Sequence, residues 1–238
     1  ALIAGYTKQI RVGAAGVLLA LKSPLKIAQT YKLLDNLYEA RIDLGLAKGS
    51  ADAEKIKELL DGGDFNTNFN QYYERVNKII SFMNDQDPKN NIPPVDGSVP
   101  EVWILGTSKT SIDYLVRTQT NFSLSLFHQM QLVPSPEIIK ELKEKFYHTH
   151  QKEPVVNIAI SAICSADKTV IKEVAKQTNN IKFNFTGDFD AFLQYLDELQ
   201  NEYQVEEIII NNLGRNMDEK LMLMEAMGKK EKVLNNLL

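Results

Sequence analysis

The chain has 238 residues, 44% of them hydrophobic and 24% charged, with 27 Lys and Arg against 31 Asp and Glu for a net charge of −4. That length supports a sizeable core, and the mildly acidic balance argues against nucleic-acid binding through phosphate contacts. One cysteine (Cys164) excludes an intrachain disulfide and a multi-cysteine metal site, three histidines leave little for a zinc centre, and no apolar run reaches the ~18 residues of a membrane helix.

Composition makes a reducing cytoplasm the default compartment. The opening ALIAGYTKQ lacks the basic and apolar regions of a signal peptide and reads as the last turns of a helix begun upstream, so an N-terminal part is expected before Ala1. Residues 10–21 (IRVGAAGVLLAL) are an apolar run without helical period, as for a strand buried on both faces. Ser23-Pro24 gives a helix start, followed by Ile27, Tyr31, Leu34 and Tyr38 at helical spacing. A strand at 41–47 runs into Lys48-Gly49-Ser50.

Residues 51–61 predict a short helix and 68–84 a firmer one, and the Pro-rich stretch 85–100 is a surface loop. Strands follow at 101–106, 121–129, 155–164 and 206–213, with helices at 109–119, after Pro134-Ser135-Pro136, at 167–177 and at 189–203. The tail from Met217 is helical, with Leu221, Met224 and Met227 on one packing stripe. Alternation of this kind predicts parallel strands and an α/β fold. Six strands suit an open doubly wound sheet. A (β/α)8 TIM barrel needs eight, and two strands upstream of Ala1 would complete it. There is no internal repeat, and the chain reads as one domain, 1–238, incomplete at its N-terminus.

Three spots lie at the carboxyl ends of predicted strands, where α/β folds bind ligands. Gly13-Ala14-Ala15-Gly16 would let a flat ligand approach the backbone, or would simply allow tight helix–strand packing. Lys48-Gly49-Ser50 offers charge and free amides to a phosphate, or is a solvated loop lysine. Gly106-Thr107-Ser108-Lys109-Thr110-Ser111 combines hydroxyls, a lysine and a helix start, which suits an anion, or an ordinary cap by Ser108 or Thr110. It is neither a Walker A nor a GxGxxG motif. His128 either faces a site mouth or is a hydrogen-bonded structural histidine, and Cys164 has no adjacent histidine to activate it. Asp188 and Asp190 read as caps of the 189–203 helix.

Taken together, RVGAAGVLLALKSPLKIAQTYKLLDNLYEARIDLGLAKG and PEVWILGTSKTS resemble the luciferase-like flavin-dependent monooxygenases. The resemblance runs from Ala1 to about His128 and returns over 186–227. It implies a TIM barrel that binds reduced FMN, with a deazaflavin as the alternative cofactor. Lys48, Gly49 and Ser50 match the flavin-phosphate position, Gly106, Thr107, Ser108 and Thr110 the second phosphate loop, and Ala15-Gly16 a non-proline cis peptide under the flavin ring. Two departures stand out. The Pro and His or Asn of many members are Ala20 to Lys22 here, and the family's glutamate–histidine motif would fall before Ala1, so no catalytic residue is named.

The expected activity is a monooxygenase acting on a small organic substrate with dioxygen, served by a separate flavin reductase. A flavin- or deazaflavin-dependent reductase of a natural-product or peptide intermediate is one alternative, and a non-catalytic flavin-binding subunit another. No nucleic acid, membrane or metal is expected. The broad apolar surface of the 24–40 helix (Leu25, Leu33 and Leu37 beside Ile27, Ala28, Tyr31, Leu34 and Tyr38) predicts a homodimer, unless residues 51–67 cover it.

Overall fold

Several helices begin where a side chain receives one of the first free amides. Asp188 accepts from the Ala191 amide at 2.9 Å, and Asp64 from the Thr67 amide at 2.8 Å. The computed structural model describes residues 1–38, 40–49, 60, 63–84, 92–95, 97–128, 133–165, 167–177 and 183–235. The helix expected over 51–61 falls almost wholly outside these residues, and so does Ser50.

The helices are α1 (Leu2–Tyr6), α2 (Pro24–Leu37), α3 (Phe65–Asn70), α4 (Tyr72–Asn84), α5 (Ile112–Thr118), α6 (Glu137–His150), α7 (Lys168–Gln177), α8 (Phe189–Tyr203) and α9 (Met217–Asn235). The strands are β1 (Val12–Leu18), β2 (Ile42–Ala47), β3 (Glu101–Gly106), β4 (Asn121–Ser125), β5 (Val156–Cys164), β6 (Phe185–Gly187) and β7 (Glu207–Asn212). Every pairing described below is parallel, so the class is α/β as the alternation predicts, consistent with a partial TIM barrel.

The chain forms two compact units, residues 1–106 with 113–122, and residues 107–112 with 123–238. In the first, β2 pairs β1 in the register Val12↔Ile42 through Ala14↔Leu44, shifting before Val17↔Leu46. On its other edge β2 pairs β3 from Asp43↔Glu101 to Leu46↔Ile104. Ile42, Leu44 and Leu46 are buried from this sheet, as are Ile27 and Ala28 of α2 and Val76, Ile79 and Met83 of α4. The inner side of α2 also carries buried Lys32 and Asp35, which its apolar spacing did not announce. Asp35 Oδ1 accepts the Ile42 amide at 3.1 Å and so fixes the start of β2 against the helix.

Three expectations are corrected in this unit. β1 is not buried on both faces, because Gly13 and Ala15 are exposed. The helix expected over 68–84 is two, α3 and α4, meeting at Gln71. Asp64 starts α3 early, and the Asn-rich FNTNFN holds helix poorly. Ser23 stands at the N-cap position of α2 without a side-chain cap bond, and Pro24 supplies the start.

In the second unit β5 is the central strand. The Ala162 carbonyl accepts the Leu213 amide beside β7, while those of Ala159 and Ser161 accept the Leu126 and Asn184 amides. Alternate residues of a strand aim their polar groups at opposite edges. β7 therefore runs along one edge from Asn157↔Glu207 to Ala162↔Asn212. On the other edge, contact passes from the end of β4 to β6, which pairs Ala162↔Phe185 through Cys164↔Gly187. Three residues are too few for periodicity to reveal, so β6 was not anticipated. β4 stops at Ser125, short of the expected 129. Phe192, Leu196 and Leu199 of α8 and Ile139, Leu142 and Phe146 of α6 are buried. Among the described residues of α9 Leu223 is buried, whereas Leu221 and Met224 of the expected packing stripe are exposed. No helix among the described residues is long and apolar enough to cross a membrane.

Candidate functional site

In the first unit, polar and small residues divide one face of the sheet between its two ends. At the amino end Arg11 clasps Asp43 with Nε to Oδ2 at 3.0 Å and Nη2 to Oδ1 at 2.7 Å, and Trp103 Nε1 adds 3.2 Å to Oδ1. Asp43 raises the Arg11 guanidinium above its ordinary value. Toward the carboxyl end the same face holds Gly16, Gly45 and Leu105. A Cβ on Gly45 would lie 2.2 Å from the Ala14 carbonyl oxygen and 2.9 Å from Leu105 Cδ1, and one on Gly16 would lie 3.0 Å from Leu105 Cδ2. The Ala15–Gly16 peptide is cis, as the resemblance implies.

β2 then leads to Lys48 and Gly49. Lys48 Nζ sits 4.0 Å from the centroid of the Phe69 ring, so this exposed lysine rests on an aromatic face. Gly49 has φ +86, a conformation that favours glycine, and a Cβ there would meet Leu18 at 3.2 Å.

Gly106 closes β3 and Thr107 follows half-buried, at the crossing from the first unit to the second. The ordinary cap read as the alternative for Ser108 is not made. The Ser108 hydroxyl makes no capping bond and instead lies 2.9 Å from the Thr110 hydroxyl. Lys109 and Thr110 are exposed beside it. Such a set, two hydroxyls and an ammonium off a strand end, has the donors an anion needs.

Elsewhere in the second unit His128 Nδ1 lies 2.6 Å from Ser125 Oγ, and burial holds its imidazole below the ordinary histidine value. Cys164 ends β5 with its thiol pushed up to about 12 by burial, then by the Asp188 charge. That makes it the inert thiol expected. Asp188 caps α8 as expected, while Asp190 lies within the first turn. No group of three or more His, Cys, Asp or Glu able to hold a metal occurs among the described residues.

The structure thus brings Gly16 together with Gly45 and Leu105, Lys48 with Phe69, and Ser108 with Thr110. Leu105, Gly45 and Phe69 carried no sequence signal of their own. Leu105 and Gly45 look like ordinary strand residues, and the Lys48–Phe69 contact joins positions 21 apart.

The residues of this chain match the family described as luciferase-like monooxygenase over 1–220. A luciferase-like monooxygenase of Escherichia coli (strain K12) is 31% identical over 112 residues, 44% of this chain and 32% of that protein. The chain spans about a third to a half of the length of the curated relatives it matches. Among solved structures, apo-MsnO8 superposes with a TM-score of 0.68 at 19% identity, covering 94% of this chain and 79% of that one. An F420-dependent secondary alcohol dehydrogenase gives 0.65 at 9% identity, covering 91% and 78%. Both share the fold.

Proposed function

The chain belongs to the luciferase-like monooxygenase family, and on that premise we propose that it is a flavin-dependent oxidoreductase, a monooxygenase that uses reduced FMN and dioxygen on a small organic substrate. The observation that carries this reading is the donor chemistry off the strand ends. The Ser108–Thr110 hydroxyl pair is not spent on capping a helix, and Lys48 has only an aromatic face for its charge among the described residues. Each set, taken within its own unit, has the donor chemistry that a flavin phosphate would take.

When bound, the flavin supplies the redox chemistry, by reaction with dioxygen or by hydride transfer. The residues of the chain bind and orient it. Lys48 leaves the Phe69 face to pair with the phosphate, and the backbone turn at Gly49 admits the phosphate to nearby amides. In the second unit, Thr107, Ser108 and Thr110 would offer hydroxyl donors to an anion of the same kind. Ala15 and Gly16 present no bulky side chain, so a flat ring can rest near the backbone, and Leu105 gives it an apolar neighbour. A separate reductase would deliver the reduced flavin, and two copies of the chain would pair through α2.

A deazaflavin is the second cofactor reading, favoured by the likeness in fold to the F420-dependent dehydrogenase. Titration of the protein with FMN, riboflavin and F420, followed by fluorescence quenching, tests both. FMN is expected to bind at least tenfold tighter than riboflavin, a difference of about 1.4 kcal/mol assigned to the phosphate. F420 binding with FMN excluded would replace the first reading by the second.

A further inference from the structure

In the first unit the chain leaves β1 through a tight turn, Leu19–Leu21, whose three residues are all buried. Carbonyl oxygens of such a turn need donors. Side chains from α3 and α4 supply them. Asn68 Nδ2 donates to the Ala20 carbonyl at 3.0 Å. Arg75 Nη2 donates to the Lys22 carbonyl at 2.6 Å and, at 3.4 Å, to that of Leu19, while its Nη1 donates to Asn68 Oδ1 at 2.9 Å. Asn68 and Arg75 are thus one clamp on the exit from β1.

The same segment grips the exit from β2. Tyr72, 5% exposed, donates its hydroxyl to the Leu46 carbonyl at 2.8 Å, two residues before Lys48. Residues 68, 72 and 75 follow the four-and-three spacing that puts side chains on one face. Next to Asn68, Phe69 carries Lys48 against its ring, and a Cβ on Gly49 would meet Leu18 at the end of β1. Lys48 and Gly49 therefore touch both of the elements, the end of β1 and α3, that Asn68 and Arg75 join.

An arginine suits this task because its planar fork reaches several acceptors in one fixed geometry, which an ammonium on a flexible stem does not. Burial pulls the Arg75 guanidinium below its ordinary value. Taking a cation partly out of water to serve carbonyl and amide oxygens costs free energy. The result is a fixed relation between two strand exits at the carboxyl end of the sheet, where α/β folds take ligands.

We propose that Arg75, braced by Asn68, is a positioning residue for Lys48, holding in place the backbone from which Lys48 and Gly49 meet a flavin phosphate. The inference rests on the flavin reading above.

Fluorescence titrations with FMN and with riboflavin test this in a double-mutant cycle of Arg75→Met and Lys48→Ala. Arg75→Met is expected to weaken FMN binding by about fivefold, the scale of one net hydrogen bond, and to leave riboflavin affinity in place. In the Lys48→Ala background the same change is expected to weaken FMN by less than about twofold, because its effect runs through Lys48. Arg75→Lys keeps the charge and drops the fork, should show the same selective loss, and replaces Arg75→Met if circular dichroism shows that variant unfolded. FMN affinity unchanged in the folded variant, a loss shared equally by riboflavin, or a loss that adds in full to that of Lys48→Ala overturns the proposal and leaves the flavin reading standing. FMN bound no tighter than riboflavin by the unmodified protein overturns the phosphate reading and this inference with it.

Discussion

Gly45 faces Ala14 so closely that a Cβ on the glycine would stand 2.2 Å from the Ala14 carbonyl oxygen. No flexible side chain can yield there, because the obstacle is main chain in a paired strand. Gly45→Ala is therefore expected to destabilise the protein by about 1–3 kcal/mol or more. Gly228→Ala, in the interior of α9 with nothing within 4 Å of the new methyl, is expected to stabilise it by about 0.5–1 kcal/mol. Urea denaturation of the two variants checks the contrast, and equal midpoints would contradict it.

Phosphate recognition predicts that Lys48→Ala and Thr110→Ala each weaken FMN binding, by about tenfold for the charge and less for the hydroxyl. Riboflavin affinity should hardly change in either. Phe69→Leu removes the aromatic rest of Lys48 and is expected to leave FMN affinity within about threefold, since an exposed cation–π contact is worth about 0.5–1 kcal/mol. Titration calorimetry reads all three. Equal FMN and riboflavin affinities in the unmodified protein would refute the phosphate site.

How much of this was legible beforehand varies with the kind of signal. Asp188, and the Pro134-Ser135-Pro136 turn ahead of α6, mark chain reversals by local chemistry, and those helices lie where the sequence predicts. The sequence shows Lys48, Gly49, Ser108 and Thr110 only as residue types that suit an anion. Their actual partners were not legible, since Phe69 is met only across the fold and the Ser108 hydroxyl had two equally plausible uses. Gly13 and Ala15 misled in the opposite direction. Small residues in an apolar run look buried on a hydropathy scale, but whether anything covers them is a tertiary fact. The gap at Gln71 was hidden because its neighbours are neither Pro nor Gly.

Cys164 offers a separate check with one thiol in the chain. With its pKa pushed up to about 12, the thiolate fraction at pH 8 is on the order of one part in ten thousand. Disulfide reagents should label the native protein at least a hundredfold more slowly than free cysteine at that pH, and the rate should climb as pH rises further. Unfolding in urea should restore rapid labelling. A native rate within about tenfold of free cysteine would show that burial does not protect the sulfur.

Among the described residues, the outer side of α2 carries Leu25, Leu33 and Leu37 at 45%, 49% and 62% exposure, and the pairing surface proposed for this helix is tested there. Two copies meeting there around a two-fold axis would bury on the order of 1,600 Å² in total. Leu37→Glu is expected to give a monomer with unchanged far-UV circular dichroism. Size-exclusion chromatography with light scattering measures the state, and a monomeric unmodified protein at micromolar concentration would end the idea.

The hand-over from β4 to β6 along one edge of β5 bears on how the protein behaves when crowded. Residues 158–164 (IAISAIC) are apolar, rich in β-branched side chains and free of charge or proline, the makings of a strand that recruits copies of itself. β7 occupies one side of this segment, and the end of β4 followed by β6 occupies the other. From Ile158 to Ala162 the segment is therefore flanked on both edges. Loss of the short Phe185–Gly187 strand would uncover the part of it nearest the carboxyl end of β5. Substitutions that dislodge Asn184 should then be felt first as clouding of concentrated solutions.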